Sequence, residues 1–183
     1  TQGRAAEPGG GRGDLKISIL PTMLFSVIGV IPDVRKAVTM DVKTTGDLVY
    51  VLGTTFRELG GSEWYALHDT VGSGVPKVDI IKAKPLYEAL HRAIMAGLVA
   101  SCHDCSDGGL GVALAETAFA GGYGIAADLW KASRGEITRN DHLLFSESAT
   151  RFVVTVHPSQ AAAFEEALDG VIIAHVGEVT AAP

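Results

Sequence analysis

The sequence predicts a fold of the α+β class, in which a mixed β-sheet is covered by α-helices. Short runs rich in Val and Ile alternate with longer segments whose apolar residues recur at helical spacing. The alternation lacks the regularity of a doubly wound parallel sheet, and no repeat of fixed period occurs. A chain of 183 residues is long enough for one domain of ordinary size with a single hydrophobic core.

Strands are predicted where short apolar runs are bounded by glycine, proline or polar residues. The segment DLVYVL, which begins at Asp47 and is closed by Gly53, is a clear example. In chain order, the predicted strands are residues 22–30, 47–52, 98–102, 125–129, 151–156 and 171–179.

The strongest helix predictions are residues 84–97 and 109–120. Pro85 is expected in the first turn of the former and Gly97 at its end, and paired glycines stop the latter. The apolar stripe of residues 109–120 is expected to pack in the core. Shorter helices are predicted at 60–68, where Ser62 is the N-cap candidate, and at 159–168, with a helical turn at 141–145.

The opening residues, TQGRAAEPGGGRGDLK, combine Gly, Arg, Glu and Pro without hydrophobic periodicity. We expect residues 1–15 to be a linker or a segment foreign to the native protein, and residues 16–183 to form the folded domain. Because the chain begins at Thr1 rather than at a methionine, we expect it to be a piece of a longer protein.

Charge and hydropathy exclude several classes of protein. The net charge is −6, from 15 Lys+Arg against 21 Asp+Glu, and no basic cluster is present, so a nucleic-acid surface is disfavoured. The longest apolar runs are far shorter than the roughly 20 residues that span a bilayer, and no signal peptide is recognised. Two cysteines are too few for a disulfide framework, so a reducing cytoplasm is the expected location.

The stretch HDCSDGGL, which begins at His103, is the most informative one in the chain. A strand is expected to end at His103 and a helix to begin at Gly108 and Gly109, across a tight polar turn. The free N–H groups and partial positive charge of a helix N-terminus suit an anion such as phosphate. Asp104 and Asp107 would repel a bare phosphate, but they fit if Mg²⁺ bridges them to a nucleotide.

Residues 59–63, LGGSE, show the same pattern, in which two glycines and a hydroxyl precede a predicted helix. The alternative for both turns is a capped helix start on a glycine-rich turn without any ligand. Neither turn is a Walker A loop, and the dinucleotide-binding fingerprint is absent. The two turns together give these candidates for phosphate or nucleotide binding: Gly60, Gly61, Ser62, Asp104, Ser106, Asp107, Gly108 and Gly109. No catalytic residue is assigned, and the metal ligands are left open.

Two further pairs of residues have a chemical and a structural interpretation. Cys102 and Cys105 have C-x-x-C spacing, but no second pair of metal ligands accompanies them, so we interpret the spacing as coincidence. Glu147 and Arg151 are four residues apart, which favours an ion pair on a helix. The alternative is that Glu147 faces a binding cleft.

Four of these stretches together resemble the last C-terminal-type domain of the phosphoribosylformylglycinamidine synthase family, within the aminoimidazole ribonucleotide synthetase-like superfamily. They are residues 39–52, 59–65 (LGGSEWY), 103–129 (HDCSDGGLGVALAETAFAGGYGIAADL) and 145–156 (FSESATRFVVTV). The resemblance covers residues 16–179 and is closer to the small-subunit form of the enzyme than to the long single-chain form. It implies an α+β domain that pairs with N-terminal-type domains.

The resemblance also implies a function, that of a ligase in purine biosynthesis. Such an enzyme uses ATP, with Mg²⁺, and ammonia from glutamine to convert formylglycinamide ribonucleotide to the amidine. The family's catalytic histidine, its main magnesium ligands and most ATP contacts lie in other domains, so this chain alone is expected to be inactive. Its implied partners are those domains and a glutaminase subunit, with a homodimer as one option, and neither nucleic acid nor membrane.

Two alternatives stay open at this point. One is a non-catalytic scaffold whose surfaces bind the partner domains and whose glycine turns serve only the fold. A large exposed apolar patch would favour that alternative. The other is a domain of a related ATP-dependent synthetase, such as aminoimidazole ribonucleotide synthetase.

Overall fold

A computed structural model describes residues 24–181 of the chain. The chain divides into two compact units, Thr1–Val30 and Ile31–Pro183. Residues 24–30 of the first unit form neither helix nor strand, so the strand predicted at 22–30 is wrong over these residues. Periodicity alone does not separate a short buried strand from an extended apolar segment. The predicted boundary after residue 15 lies outside the described residues and stays a prediction.

The second unit contains a sheet and α-helices that alternate along the chain, and the predicted α+β class is confirmed. The strands are β1 (Leu48–Leu52), β2 (Ser101–Asp104), β3 (Gly124–Ala127), β4 (Phe152–Val156) and β5 (Ile173–Thr180). The helices are α1 (Glu63–Ala66), α2 (Ile80–Met95), α3 (Gly109–Gly121), α4 (Asn140–Phe145) and α5 (Ala161–Ala167). Single turns of 3-10 helix lie at Val34–Lys36, Leu129–Lys131 and Pro158–Gln160.

The five strands lie in the order β2-β4-β1-β5-β3. Every pairing between them is antiparallel, which corrects the predicted mixed sheet in one respect. Within the described residues, a parallel pairing occurs only as an isolated bridge between Thr55 and Arg134. Strand direction depends on long-range connections, and the local sequence does not encode it.

The two faces of the central strands bury two separate apolar clusters. Tyr50 and Leu52 of β1 face α2 and α5, whereas Val49 and Val51 face α3. Successive strand residues point to opposite faces of a sheet, so a sheet covered on both sides needs an uninterrupted apolar strand. This requirement explains why β1 reads LVYVL.

Several element boundaries differ from the prediction by a few residues, and those of α2 and β2 change where Pro85 and Asp104 lie. Helix α2 begins at Ile80, because the Asp79 carboxylate caps the amides of Ile81 and Lys82. Pro85 therefore lies inside the helix rather than in its first turn. Strand β2 ends at Asp104, so that carboxylate lies at the end of a strand. None of the described helices is long and apolar enough to cross a membrane.

Candidate functional site

The turn between β2 and α3, residues 105–109, is shaped by two glycines in the left-handed region. Gly108 has a φ of 76° and Gly109 a φ of 64°, which L-residues with a side chain rarely adopt. A Cβ on Gly109 would collide with the backbone oxygen of Ser146 and lie 2.8 Å from the oxygen of Leu144. Glycine is therefore required here both by conformation and by close approach of the chain.

Two carboxylates lie at this turn, Asp104 directly before it and Asp107 within it, and they differ in their hydrogen bonding. Asp104 accepts a hydrogen bond from the Ser106 hydroxyl and lies 3.4 Å from Nδ1 of His103. The Ser106 bond is the largest cause that lowers the pKa of Asp104, since it stabilises the charged form. Asp107 is exposed and makes no side-chain hydrogen bond or ion pair with the residues described. The turn thus presents one engaged and one free acidic group.

The second predicted turn, residues 59–62, starts helix α1. The Ser62 hydroxyl accepts a hydrogen bond from the Tyr65 amide at 3.2 Å, so the predicted N-cap is confirmed. The Gly60 amide donates to the carbonyl oxygen of Gly74 at 3.1 Å. The amides of Gly61 and Ser62 also donate to backbone carbonyls, at 2.8 and 3.0 Å. The N–H groups of this turn are therefore already used within the fold.

The carboxylate of Glu147 joins the two turns. Its Oε1 accepts from the Gly108 amide at 2.9 Å and from the Glu63 amide at 3.0 Å. Because Glu63 is the first residue of α1 and Gly108 directly precedes α3, one oxygen serves the starts of both helices. A side-chain oxygen of the protein thus accepts from the residue that precedes α3 and from the first residue of α1.

Arg151 is a buried arginine, only 1% exposed, that holds the backbone on both sides of Glu147. Its guanidinium donates to the carbonyl oxygens of Ser148 at 2.8 Å and Ser146 at 2.6 Å, and to the Thr55 hydroxyl at 3.0 Å. The predicted Glu147–Arg151 ion pair is wrong, since residues 147–151 are not helical and the two side chains have different partners. The sequence carries no signal for this buried arginine, because a basic residue before a strand ordinarily faces solvent.

The cysteine pair has no sign of chemical activity. Cys102 and Cys105 are free thiols, and burial raises their pKa values to about 12 and about 11. Protonated thiols are neither nucleophiles nor metal ligands. In addition, the described residues contain no group of three His, Cys, Asp or Glu side chains that could hold a metal ion.

A separate surface is formed by exposed apolar side chains before and at the start of α2. Phe56, Val75, Val78, Ile80 and Ile81 are between 44% and 82% exposed. Phe56 and Ile81 also line a cavity of about 310 Å³. Such a patch is unusual for a protein surface that faces only water and indicates an interaction surface. Sequence reasoning missed it, because these residues read as ordinary loop and helix positions.

The eight predicted site residues thus divide into two groups. Asp104 ends β2 and accepts a hydrogen bond from Ser106 of the first turn, which also carries Asp107. Glu147 links that turn to the start of α1, directly after residues 60–62. The glycines shape the turns, while the described amides of Gly60, Gly61, Gly108 and Gly109 already donate within the protein. The amides of these four glycines are therefore not free to meet a ligand, whereas the Asp107 side chain is.

Comparisons with known proteins identify the family of this chain. The family model described as "AIR synthase related protein, C-terminal domain" matches residues 44–183. The phosphoribosylformylglycinamidine synthase subunit PurL of Moorella thermoacetica is 39% identical over 142 residues, which are 77% of this chain and 19% of that protein. The subunit of the same name from Alkaliphilus metalliredigens is 38% identical over 161 residues, or 87% of this chain and 21% of its own length.

Solved structures with the same fold are also found. T. maritima PurL complexed with FGAR has a TM-score of 0.70 at 22% identity, over 81% of this chain and 26% of that one. E. coli HypE, a hydrogenase maturation protein, has a TM-score of 0.57 at 21% identity, over 80% and 47% of the two chains. At such identities the likeness shows the fold alone. The chain spans about a fifth of the length of the curated relatives it matches.

Proposed function

The chain belongs to the family of AIR synthase related proteins, as a C-terminal domain of that family, and from this premise we propose that it is the C-terminal-type domain of a phosphoribosylformylglycinamidine synthase. The curated relatives of that name, 38–39% identical, support this choice over aminoimidazole ribonucleotide synthetase. The full enzyme would couple ATP cleavage to C–N bond formation between formylglycinamide ribonucleotide and ammonia. Since T. maritima PurL has been solved in complexes with ATP and with ADP, a nucleotide is the ligand to test.

Within that enzyme, we place the eight predicted residues in a wall that faces the nucleotide phosphates. The observation that carries this proposal is the free, exposed carboxylate of Asp107, on a turn that the protein fixes at both ends. Asp104 and Ser106 lie beside it. The glycines of both turns, Gly60, Gly61, Gly108 and Gly109, together with Ser62, set the shape of the wall.

Magnesium fits these side chains only if its remaining ligands come from outside this chain. Asp107 offers a free carboxylate, which is a ligand type that Mg²⁺ prefers, and Asp104 contributes negative charge nearby. The described residues do not by themselves form a metal-holding group, so the other ligands would come from phosphate oxygens and from neighbouring domains. When bound, the ion would neutralise phosphate charge. The role of this chain would be to hold the Asp107 carboxylate at the wall.

The test is calorimetric titration of the chain with Mg-ADP and Mg-ATP. Asp107→Asn removes the charge and keeps the shape of the side chain, and we expect it to abolish binding. Asp169→Asn, at an exposed carboxylate after α5, is the matched control and should bind as the unaltered chain does. Equal binding by Asp107→Asn and by the control would contradict the proposed wall.

A second candidate function, that of an interface domain, is favoured by the exposed apolar patch at Phe56, Val75, Val78, Ile80 and Ile81. In this proposal, the patch contacts other domains of the same polypeptide, and the turns serve only the fold. Sedimentation of the chain would then show self-association, which Ile81→Asp reduces, while nucleotide binding is absent. A monomeric chain that binds Mg-ADP would contradict this second candidate.

The remaining partners belong to the same proposal. Neighbouring N-terminal-type domains would complete the nucleotide site, and a glutaminase would supply the ammonia. A cytoplasmic location is included, since both cysteines are free thiols and a reducing compartment keeps thiols in that state.

A further inference from the structure

Glu147 is the point at which the two glycine turns meet. One carboxylate oxygen accepts from the amides of Gly108 and Glu63, at 2.9 and 3.0 Å. These residues are 39 and 84 positions away from Glu147 in the sequence, so the contact ties together three distant parts of the chain. Removal of the Glu147 carboxylate would leave both the Gly108 and the Glu63 amide without their acceptor.

The backbone on both sides of Glu147 is held in place. Arg151 donates to the carbonyl oxygens of Ser146 and Ser148, which flank Glu147 directly. The Glu147 amide donates to the carbonyl oxygen of Glu58 at 2.9 Å. A side chain anchored in this way delivers its oxygen to a fixed point, because little freedom remains in the backbone that carries it.

The Asp107 carboxylate depends on that fixed point. Asp107 is the residue before Gly108, whose amide Glu147 holds, and its own side chain has no partner among the described residues. Gly108 and Gly109 lack side chains that could hold the turn, so its position is determined by contacts of the backbone. The Glu147 bond is therefore a contact that can fix the direction in which Asp107 points.

We propose that Glu147 is a positioning residue, whose carboxylate holds the turn that carries Asp107 and the start of α1 as one unit. The role depends on reach: the oxygen must extend far enough to accept from both amides at once. As a contribution to nucleotide binding, this inference rests on the proposed function. The coupling of the two turns can be measured without any nucleotide.

Two conservative variants separate reach from charge. Glu147→Gln keeps the length of the side chain and an acceptor oxygen but removes the charge. Glu147→Asp keeps the charge but shortens the side chain by one methylene, so it no longer reaches both amides. Glu136→Asp, at an exposed residue with no side-chain partner among the described residues, is the matched control for shortening.

Hydrogen exchange of the Glu63 and Gly108 amides, followed by NMR, is the direct measurement. We expect Glu147→Asp to accelerate exchange at both amides by about tenfold, the scale of one charge-assisted hydrogen bond. Glu147→Gln should retain most of the protection, and Glu136→Asp all of it. Amides in β1 report global stability, and they should exchange alike in all four proteins, which excludes general unfolding as the cause.

Three results would overturn the inference. The first is an unchanged exchange rate at either amide in Glu147→Asp. The second is a larger acceleration of exchange in Glu147→Gln than in Glu147→Asp. The third, which applies if the unaltered chain binds Mg-ADP, is an unchanged affinity in Glu147→Asp. A different result, no Mg-ADP binding by the unaltered chain, would mean that the turn needs its neighbouring domains or serves only the fold. In that case, the exchange rates still decide whether Glu147 couples the two turns.

Discussion

The two glycine turns look alike in sequence, yet they are built differently. The turn before α1 caps its helix with its own side chain, since the Ser62 hydroxyl accepts from the Tyr65 amide. The turn before α3 has no side-chain cap of its own, and its Gly108 amide donates to the distant Glu147. One helix start is therefore stabilised locally, whereas the other depends on a contact made through the tertiary fold.

The glycines of the two turns differ in the same way. At Gly61, with a φ of 76°, nothing lies within 4 Å of an added Cβ, so only the backbone conformation favours glycine. At Gly109, the added Cβ would also meet the backbone of Ser146 and Leu144. A motif of two glycines before a helix can thus reflect conformation alone or conformation together with close packing.

The largest expected effect is that of Gly109→Ala. Positive φ and collision with backbone atoms act together, and we expect a loss of roughly 3 kcal/mol in the free energy of unfolding. Urea denaturation measures it, and Gly61→Ala serves as the matched control. Gly61→Ala should lower the free energy of unfolding by only about 1 kcal/mol, because the positive φ is its only source of strain. Equal losses in the two variants would show that the close approach at Gly109 is relieved by movement.

Ser62→Ala should have a smaller effect, confined to the locally capped turn. Loss of an N-cap hydroxyl ordinarily costs about 1 kcal/mol, because the Tyr65 amide loses its acceptor. Urea denaturation again gives the free energy, with the exposed Ser73→Ala as control. If Ser62→Ala were as stable as the control, Glu147 rather than Ser62 would be the cap that matters for α1.

The smallest effect concerns the pH dependence of the α3 turn. The Ser106 hydroxyl is the main reason why the pKa of Asp104 lies below its ordinary value of 3.8. A lowered pKa in the folded state adds stability at pH values above 3.8, and this contribution is lost as the pH falls through the folded pKa. Ser106→Ala should raise the pKa of Asp104 towards 3.8 and weaken this dependence.

A carboxyl-carbon NMR titration of Asp104 checks the shift. Ser73→Ala, which changes an exposed serine in another turn, should leave the Asp104 titration where it is. An unchanged Asp104 pKa in Ser106→Ala would mean that another group, such as His103 at 3.4 Å, sets the charge state of this turn.

Much of the fold could be predicted from local patterns. The β1 segment, the Ser62 cap and the α3 helix were each predicted to within a residue or two, because apolar periodicity and helix-capping chemistry are properties of neighbouring residues. The predicted start of α2 is wrong, because Asp79 caps the helix six positions before Pro85, the residue expected in the first turn. The apolar run at residues 24–30 was misread for a related reason: strand formation needs a partner that the run does not specify.

The candidate site divides in the same way between sequence and structure. Local sequence patterns alone predict that two helices begin after paired glycines and that Asp104, Ser106 and Asp107 lie within four residues of one another. Long-range contacts in the folded chain are needed for Glu147 to join the two turns, for the buried Arg151 to bond Thr55 and for the five strands to pair antiparallel. Caps and turns arise from atoms a few residues apart, whereas the two Glu147 contacts join segments 39 and 84 residues apart and exist only once the chain has folded.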